Sequence, residues 1–204
     1  MSTIIRYMNK RKLENLYLVK KFSSKEISEK FFCSQTKVNY WLSVYKIKKR
    51  TISEAIYQKR NPDGNPFLFI KPKSLQEMFL FGLGLGLFWG EGSKRSKHSV
   101  RLSNSDPQLV KKFIDFLINI YHIDKNKLRF QLQIHYDLDM NQLLDFWSNY
   151  LLIKKTQFFK TTILKNRGDG TYTTKIRYGV IIVNFGNSRL KNLISSQIAN
   201  IENM

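Results

Sequence analysis

The sequence predicts an α+β protein made of two parts, and three observations predict it. Up to Arg50, apolar residues recur only at helical spacing. From Ser74 onward, segments with a period of two alternate with helical ones. Between them lies RNPDGNPF, whose Asn-Pro and Asp-Gly pairs are strong turn signals. The expected organisation is a helical region over 1–50, a connector over 51–73 and a mixed region over 74–204.

In the first region, KLENLYLVKKF carries Leu13, Leu16, Tyr17 and Val19 at helical spacing. SSKEISEKFF opens on serines suited to an N-cap, and Ser34 precedes QTKVNYWLSVY, with Val38, Leu42 and Tyr45 on one face. That makes three expected helices.

The mixed region begins with LFGLGLGLFWGEGSK, Leu80 to Lys94, which admits several readings. A nucleotide loop is disfavoured, because neither G-x-G-x-x-G after a strand nor G-x-x-x-x-G-K-[ST] is present. A membrane span is disfavoured too: the apolar run from Met78 to Gly90 is about 13 residues, against the roughly 20 that a bilayer requires. A strand built on the Leu/Gly alternation competes with a helix ending at Gly92. In the helix, each glycine costs about 1 kcal/mol relative to alanine. Gly82, Gly86 and Gly90, four apart, then share one face and let another backbone approach closely.

Beyond it, SVRLSNS reads as a short strand, and DPQLVKKFIDFLINIYH as a helix with Asp106 at the cap and Pro107 in its first turn. KLRFQLQIHY alternates Leu128, Phe130, Leu132 and Ile134 against Arg129, Gln131, Gln133 and His135, a strand with one buried face. MNQLLDFWSNYLL is helical, with Asp137 before it as a cap. TQFFKTTILKN and TKIRYGVIIVNF read as two strands joined by RGDGTY, and SRLKNLISSQIANI as a closing helix.

The 204 residues carry 35 Lys and Arg against 15 Asp and Glu, a formal net charge of +20. Residues 1–60 hold 15 of these bases against 4 acids, and the remainder 20 against 11. Such a field favours a polyanion, of which nucleic acids and anionic membrane surfaces are the common kinds. The single cysteine, Cys33, excludes an internal disulfide, and His98, His122 and His135 have no zinc-site spacing. With no apolar leader or span visible, a soluble cytoplasmic protein is expected.

The outward set Arg129, Gln131 and Gln133 has the donors that read guanine and adenine edges, and Lys175 and Arg177 extend it onto another strand. A wet, non-functional sheet face is the competing reading. EISEKFFCSQTKVNYWL, Glu26 to Leu42, resembles the helix-turn-helix of transcription regulators and recombinases. The resemblance implies that Gln35, Thr36, Lys37, Asn39 and Tyr40 face a major groove, while Val38, Trp41 and Leu42 face inward. Phe32 stands where that motif usually has glycine.

GLGLFWGEG, Gly84 to Gly92, followed by VRLSNSDPQLVKKFIDFL, resembles the signature helix and following elements of the single-motif LAGLIDADG homing endonucleases. That resemblance implies a saddle-shaped, mainly antiparallel four-stranded sheet lying on double-stranded DNA. It implies a homodimer paired through Gly82, Gly86 and Gly90. It also implies that Glu91, helped by the backbone carbonyl of Gly90, ligates catalytic Mg2+ for double-strand cleavage. Lys94, Lys160, Lys175 and Arg177 are the basic candidates near the phosphates. Trp89 departs from the family's aspartate, and the hairpin after the motif is compressed. The alternatives are a DNA-binding regulator on the same scaffold without cleavage and, more distantly, an RNA- or ribosome-binding protein.

Overall fold

In the computed structural model, which describes residues 7–164 and 177–202, the chain divides between Gly64 and Asn65, inside the turn-rich RNPDGNPF stretch. In the first unit, α1 (Lys10–Glu14) is capped by Asn9 and runs into a wide turn over Asn15–Val19. The Lys20 N–H closes that turn on the Asn15 carbonyl at 2.8 Å, an i→i+5 bond. The extra residue rotates Val19 off the core side. Leu13, Leu16 and Tyr17 are buried and Val19 is exposed, so the expected spacing holds for three of these four residues.

Helix α2 (Ser24–Lys30) starts at a capping box between Ser23 and Glu26, and α3 (Gln35–Val44) starts at Ser34, whose hydroxyl accepts the Lys37 N–H. Ile27, Val38 and Leu42 are fully buried together with Leu13, with Trp41 and Tyr45 packed partly against them. Arg50, after α3, folds back on the first helices. Its guanidinium stacks 4.2 Å over Tyr17 and donates to the Lys21 carbonyl at 2.9 Å and to the Phe22 carbonyl. A further helix, α4 (Ile52–Arg60), forms where the sequence reads as connector. Its Thr51–Glu54 capping box nucleates it although it buries no side chain.

The second unit is built on four strands: β1 (Val100–Asn104), β2 (Arg129–His135), β3 (Thr162–Leu164) and β4 (Val180–Phe185). Their order is β1-β4-β2-β3. β4 is antiparallel to both β1 and β2, whereas β3 runs parallel to β2. The sheet is therefore mixed and not mainly antiparallel as expected. β3 and β4, consecutive among the described strands, do not pair; β2 lies between them. The physical reason is visible in their composition. Ile181, Ile182 and Val183 are buried in succession, so β4 takes a central slot, where strands on both sides shield it and Ser103 and Gln131 flank Ile182 on the polar face. β3 is short, exposes Ile163 and Leu164, and sits at the edge.

Among the described residues, four helices accompany the sheet: α5 (Leu75–Glu91), α6 (Pro107–Tyr121), α7 (Met140–Leu151) and α8 (Ser188–Glu202). The α7 cap is Asp139 and not Asp137: Asp139, directly before Met140, accepts the Asn141 and Gln142 N–H groups on its carboxylate. Val100, Leu102, Phe130, Leu132, Ile134, Ile181, Val183 and Phe185 form one buried sheet face, sharing a core with Leu85 and Phe88 of α5, Phe113 and Phe116 of α6, and Trp147 of α7. Among the described residues, no helix is long and apolar enough to cross a membrane.

Candidate nucleic-acid interface

The strand alternation that buries Phe130, Leu132 and Ile134 sends Arg129, Gln131 and Gln133 to the opposite face. Strand register extends that face. Asn184 of β4 lies between Arg101 and Arg129, Ile182 between Ser103 and Gln131, and Gln133 between Val180 and Thr162. A hydrogen-bonded row crosses it: Arg101 Nη2 donates to Gln131 Oε1 at 3.4 Å, and Gln131 Nε2 donates to Thr162 Oγ1 at 3.1 Å. The Gln131 amide is thus oriented by both neighbours. Arg129 is held at one nitrogen, where Nη1 donates to the carbonyls of Asn126 and Leu128 at 2.8 and 2.9 Å. Gln133 has no side-chain hydrogen bond to any described residue.

α5 is set by its own ends. Ser74 and Glu77 form a capping box at its start, and Gly92 ends it in extended conformation, its N–H on the Phe88 carbonyl at 2.9 Å. The chain then turns back on β1: Gly92 bridges to Leu102, and Ser93 N–H donates to the Arg101 carbonyl at 2.8 Å. The last turn of α5, with Glu91, is thereby fixed beside the outer edge of β1. Glu91 is exposed and makes no hydrogen bond or ion pair with any described residue.

The glycines separate into two roles. Gly84 is buried, and a Cβ there would come within 2.1 Å of the Phe116 ring, so it is the residue that lets α6 lie close. Gly82, Gly86 and Gly90 are exposed, and a Cβ on any of them would meet nothing within 4 Å. The three share a face with Leu75, Met78 and Phe79, which are 83%, 51% and 71% exposed. A glycine-bearing apolar helix face is thus exposed among the described residues of the second unit.

In the first unit, Gln35, Thr36 and Tyr40 are exposed and Lys37 and Asn39 half-buried, while Val38 and Leu42 are buried. Gln35 is partly engaged, donating from Nε2 to Ser24 Oγ at 3.0 Å.

Lys175 lies outside the described residues. Arg177 does not extend the strand as expected: it stands in a turn before β4, its guanidinium 5.6 Å from the Tyr178 ring. The Trp147 indole N–H, bonded to the Tyr178 carbonyl at 2.8 Å, holds that backbone out of the ladder. Lys94 is exposed in the bend after Gly92, and Lys160 is exposed before β3.

Two residues of this region escaped the sequence reading. Arg101 belongs to the polar face, and its period-two spacing between Val100 and Leu102 was the available signal. Lys191 of α8 is buried, its Nζ 4.3 Å from the Phe88 ring and donating to the Ser93 carbonyl at 3.2 Å. Burial lowers its pKa below the ordinary lysine value. It ties down the segment that follows Glu91, a tertiary role with no sequence signal. Among the described residues, no three His, Cys, Asp or Glu side chains gather as a metal-holding group. Comparison with protein-family models, curated proteins and solved structures gives no match for this chain.

Proposed function

We propose that this chain is a duplex-DNA-binding protein that pairs through α5 and acts as a homing-type endonuclease requiring Mg2+. The observation that carries the reading is one combination within the second unit: a sheet face bearing Arg129, Gln131 and Gln133, and an exposed glycine-bearing helix that ends on the unengaged carboxylate of Glu91 and bridges to the edge of that sheet at Leu102. A one-sided sheet with Arg and Gln donors suits base edges, since arginine pairs with guanine O6 and N7 and glutamine with adenine N6 and N7. The basic field of the whole chain supplies the phosphate attraction.

Cleavage by this arrangement needs two copies. The exposed face of α5, pressed on its symmetry mate, brings a second Glu91 to the first. Glu91 and the Gly90 carbonyl are hard oxygen donors on an exposed helix end. They fit Mg2+, which keeps several waters and is held by one or two carboxylates together with substrate phosphates. When bound there, the ion supplies an activated water and neutralises charge on the leaving oxygen. The chain's own residues do the rest: Arg129, Gln131 and Gln133 set the register on the duplex, and Lys94 and Arg101, which flank the α5 terminus, neutralise phosphate charge.

The test is cleavage of a duplex selected for tight binding, with Mg2+ present. The wild type cuts both strands, and Glu91→Gln binds equally well but cuts on the order of 10³-fold more slowly, the scale of several kcal/mol of lost charge stabilisation. A wild type that leaves the bound duplex intact, with Glu91→Gln binding it equally, removes the nuclease reading and leaves a DNA-binding regulator. A wild type that prefers no duplex over structured RNA removes both.

A further inference from the structure

We propose that Phe32 is a DNA-contacting residue of the first unit, its ring packing on the deoxyribose faces of the groove wall beside the start of α3. The proposal rests on reading α2 and α3 as a pair that docks on duplex DNA.

α2 ends in a Schellman closure: the Cys33 N–H donates to the Ser28 carbonyl at 3.0 Å and the Phe32 N–H to the Glu29 carbonyl at 3.3 Å. The residue at the centre of that closure takes a left-handed backbone, and Phe32 has φ +47°. Glycine adopts this region freely, whereas a bulky side chain is strained in it. The ring recovers nothing from the fold, because it is 97% exposed. Its aromatic neighbours are engaged: Phe22 lies 5.0 Å from the Lys30 amine, and Phe31 lies 5.0 Å from the Lys12 amine.

Position indicates the occupant. Phe32 lies two residues before the Ser34 cap and three before Gln35, at the end of α3 that helix-turn-helix docking directs into a major groove. The surrounding chain, with 15 Lys and Arg against 4 acids over residues 1–60, selects a polyanion. The sugar faces of the groove wall are apolar surface that such a polyanion presents there. Contacts to sugar carry no sequence information, so the ring contributes affinity and register, leaving base choice to α3.

The second unit contains a matched control. Leu152 also follows a helix with φ +51° and is 80% exposed, and the Ile153 N–H donates to the Ser148 carbonyl at 2.9 Å in the same closure.

The experiment measures binding of the full chain, as wild type, Phe32→Gly and Leu152→Gly, to a selected and a random duplex across a salt series, with melting temperatures alongside. Phe32→Gly is expected to weaken both duplexes about tenfold, the scale of one buried aromatic contact. The slope of log affinity against log salt stays unchanged, since no cation is lost. The melting temperature does not fall, because glycine suits the left-handed backbone. Leu152→Gly leaves affinity unchanged. The proposal is overturned if Phe32→Gly binds within about twofold of wild type. It is also overturned if both variants weaken binding alike, or if lost binding tracks a lowered melting temperature. A wild type that binds no duplex removes the docking reading and the proposal together, whereas a binding wild type with an indifferent Phe32→Gly removes the proposal alone.

Discussion

Gly82 and Gly84, two residues apart on α5, face different surroundings. Beside Gly84 stands the Phe116 ring, and beside Gly82 there is open space. Gly84→Ala is therefore expected to destabilise the chain by about 1–3 kcal/mol through overpacking, read as a lower urea midpoint. Gly82→Ala and Gly86→Ala should leave the midpoint unchanged or raise it by up to ~1 kcal/mol, since alanine is the better helix former. The same two changes should weaken self-association measured by light scattering. Unimpaired association would remove the glycine face from the dimer reading. The sequence spacing singled out the exposed stripe and missed Gly84, because periodicity groups residues by face without saying which face meets the neighbouring helix. Arg129, Gln131 and Gln133 were legible, as strand alternation alone fixes their common side. Their neighbours Arg101 and Thr162 were not, because strand order decides who sits beside Gln131.

At the scale of elements, α5 shows how much local chemistry specifies. The Ser74–Glu77 box satisfies backbone N–H groups that the first helical turn leaves unpaired. Ser74→Ala should cost about 1 kcal/mol in a urea titration. The Lys73 N–H, donating to the Glu77 carboxylate at 2.8 Å, and then the Ser74 N–H, hold the Glu77 pKa below its ordinary 4.5. Because the folded value is the lower one, this contribution is complete above the ordinary value and is lost as pH falls through the folded value. Stability measured between neutral pH and acid should therefore decline less steeply in Glu77→Gln than in wild type; identical slopes would show that the cap contributes nothing. The caps of α2, α3 and α6 were legible for the same local reason. The end of α2 was less so: the sequence marked Phe32 as a departure from glycine, and only the closure around it revealed a left-handed phenylalanine standing in the open. The partners of β3 and β4 were not legible at all. Neighbours in sequence suggest a hairpin, whereas the buried run Ile181–Val183 draws β4 to the centre of the sheet and leaves short β3 at its edge.

Across the whole molecule, the +20 charge is the broadest prediction the chain makes. If the partner is duplex DNA, log affinity should fall linearly with log salt, with a slope of roughly −0.9 per phosphate neutralised. Arg129→Gln should reduce that slope by no more than about one contact while relaxing base choice at one position, a pattern opposite to that of Lys94→Gln, which should weaken all sequences alike. A salt-independent affinity would exclude a phosphate-driven interface. By itself, the sequence determined the two-part organisation, the caps of α2, α3 and α6, the basic field and the polar face of β2. All of these are written in composition, dipeptides and short periods, where each residue's contribution depends on neighbours a few positions away. Tertiary structure alone decided the mixed strand order, the close approach of α6 at Gly84, the pinning of the Ser93 carbonyl by Lys191 and the meeting of the α5 terminus with β1. Those depend on which apolar surfaces cover one another across long stretches of chain, and burial rewards many such pairings almost equally until the whole core is assembled.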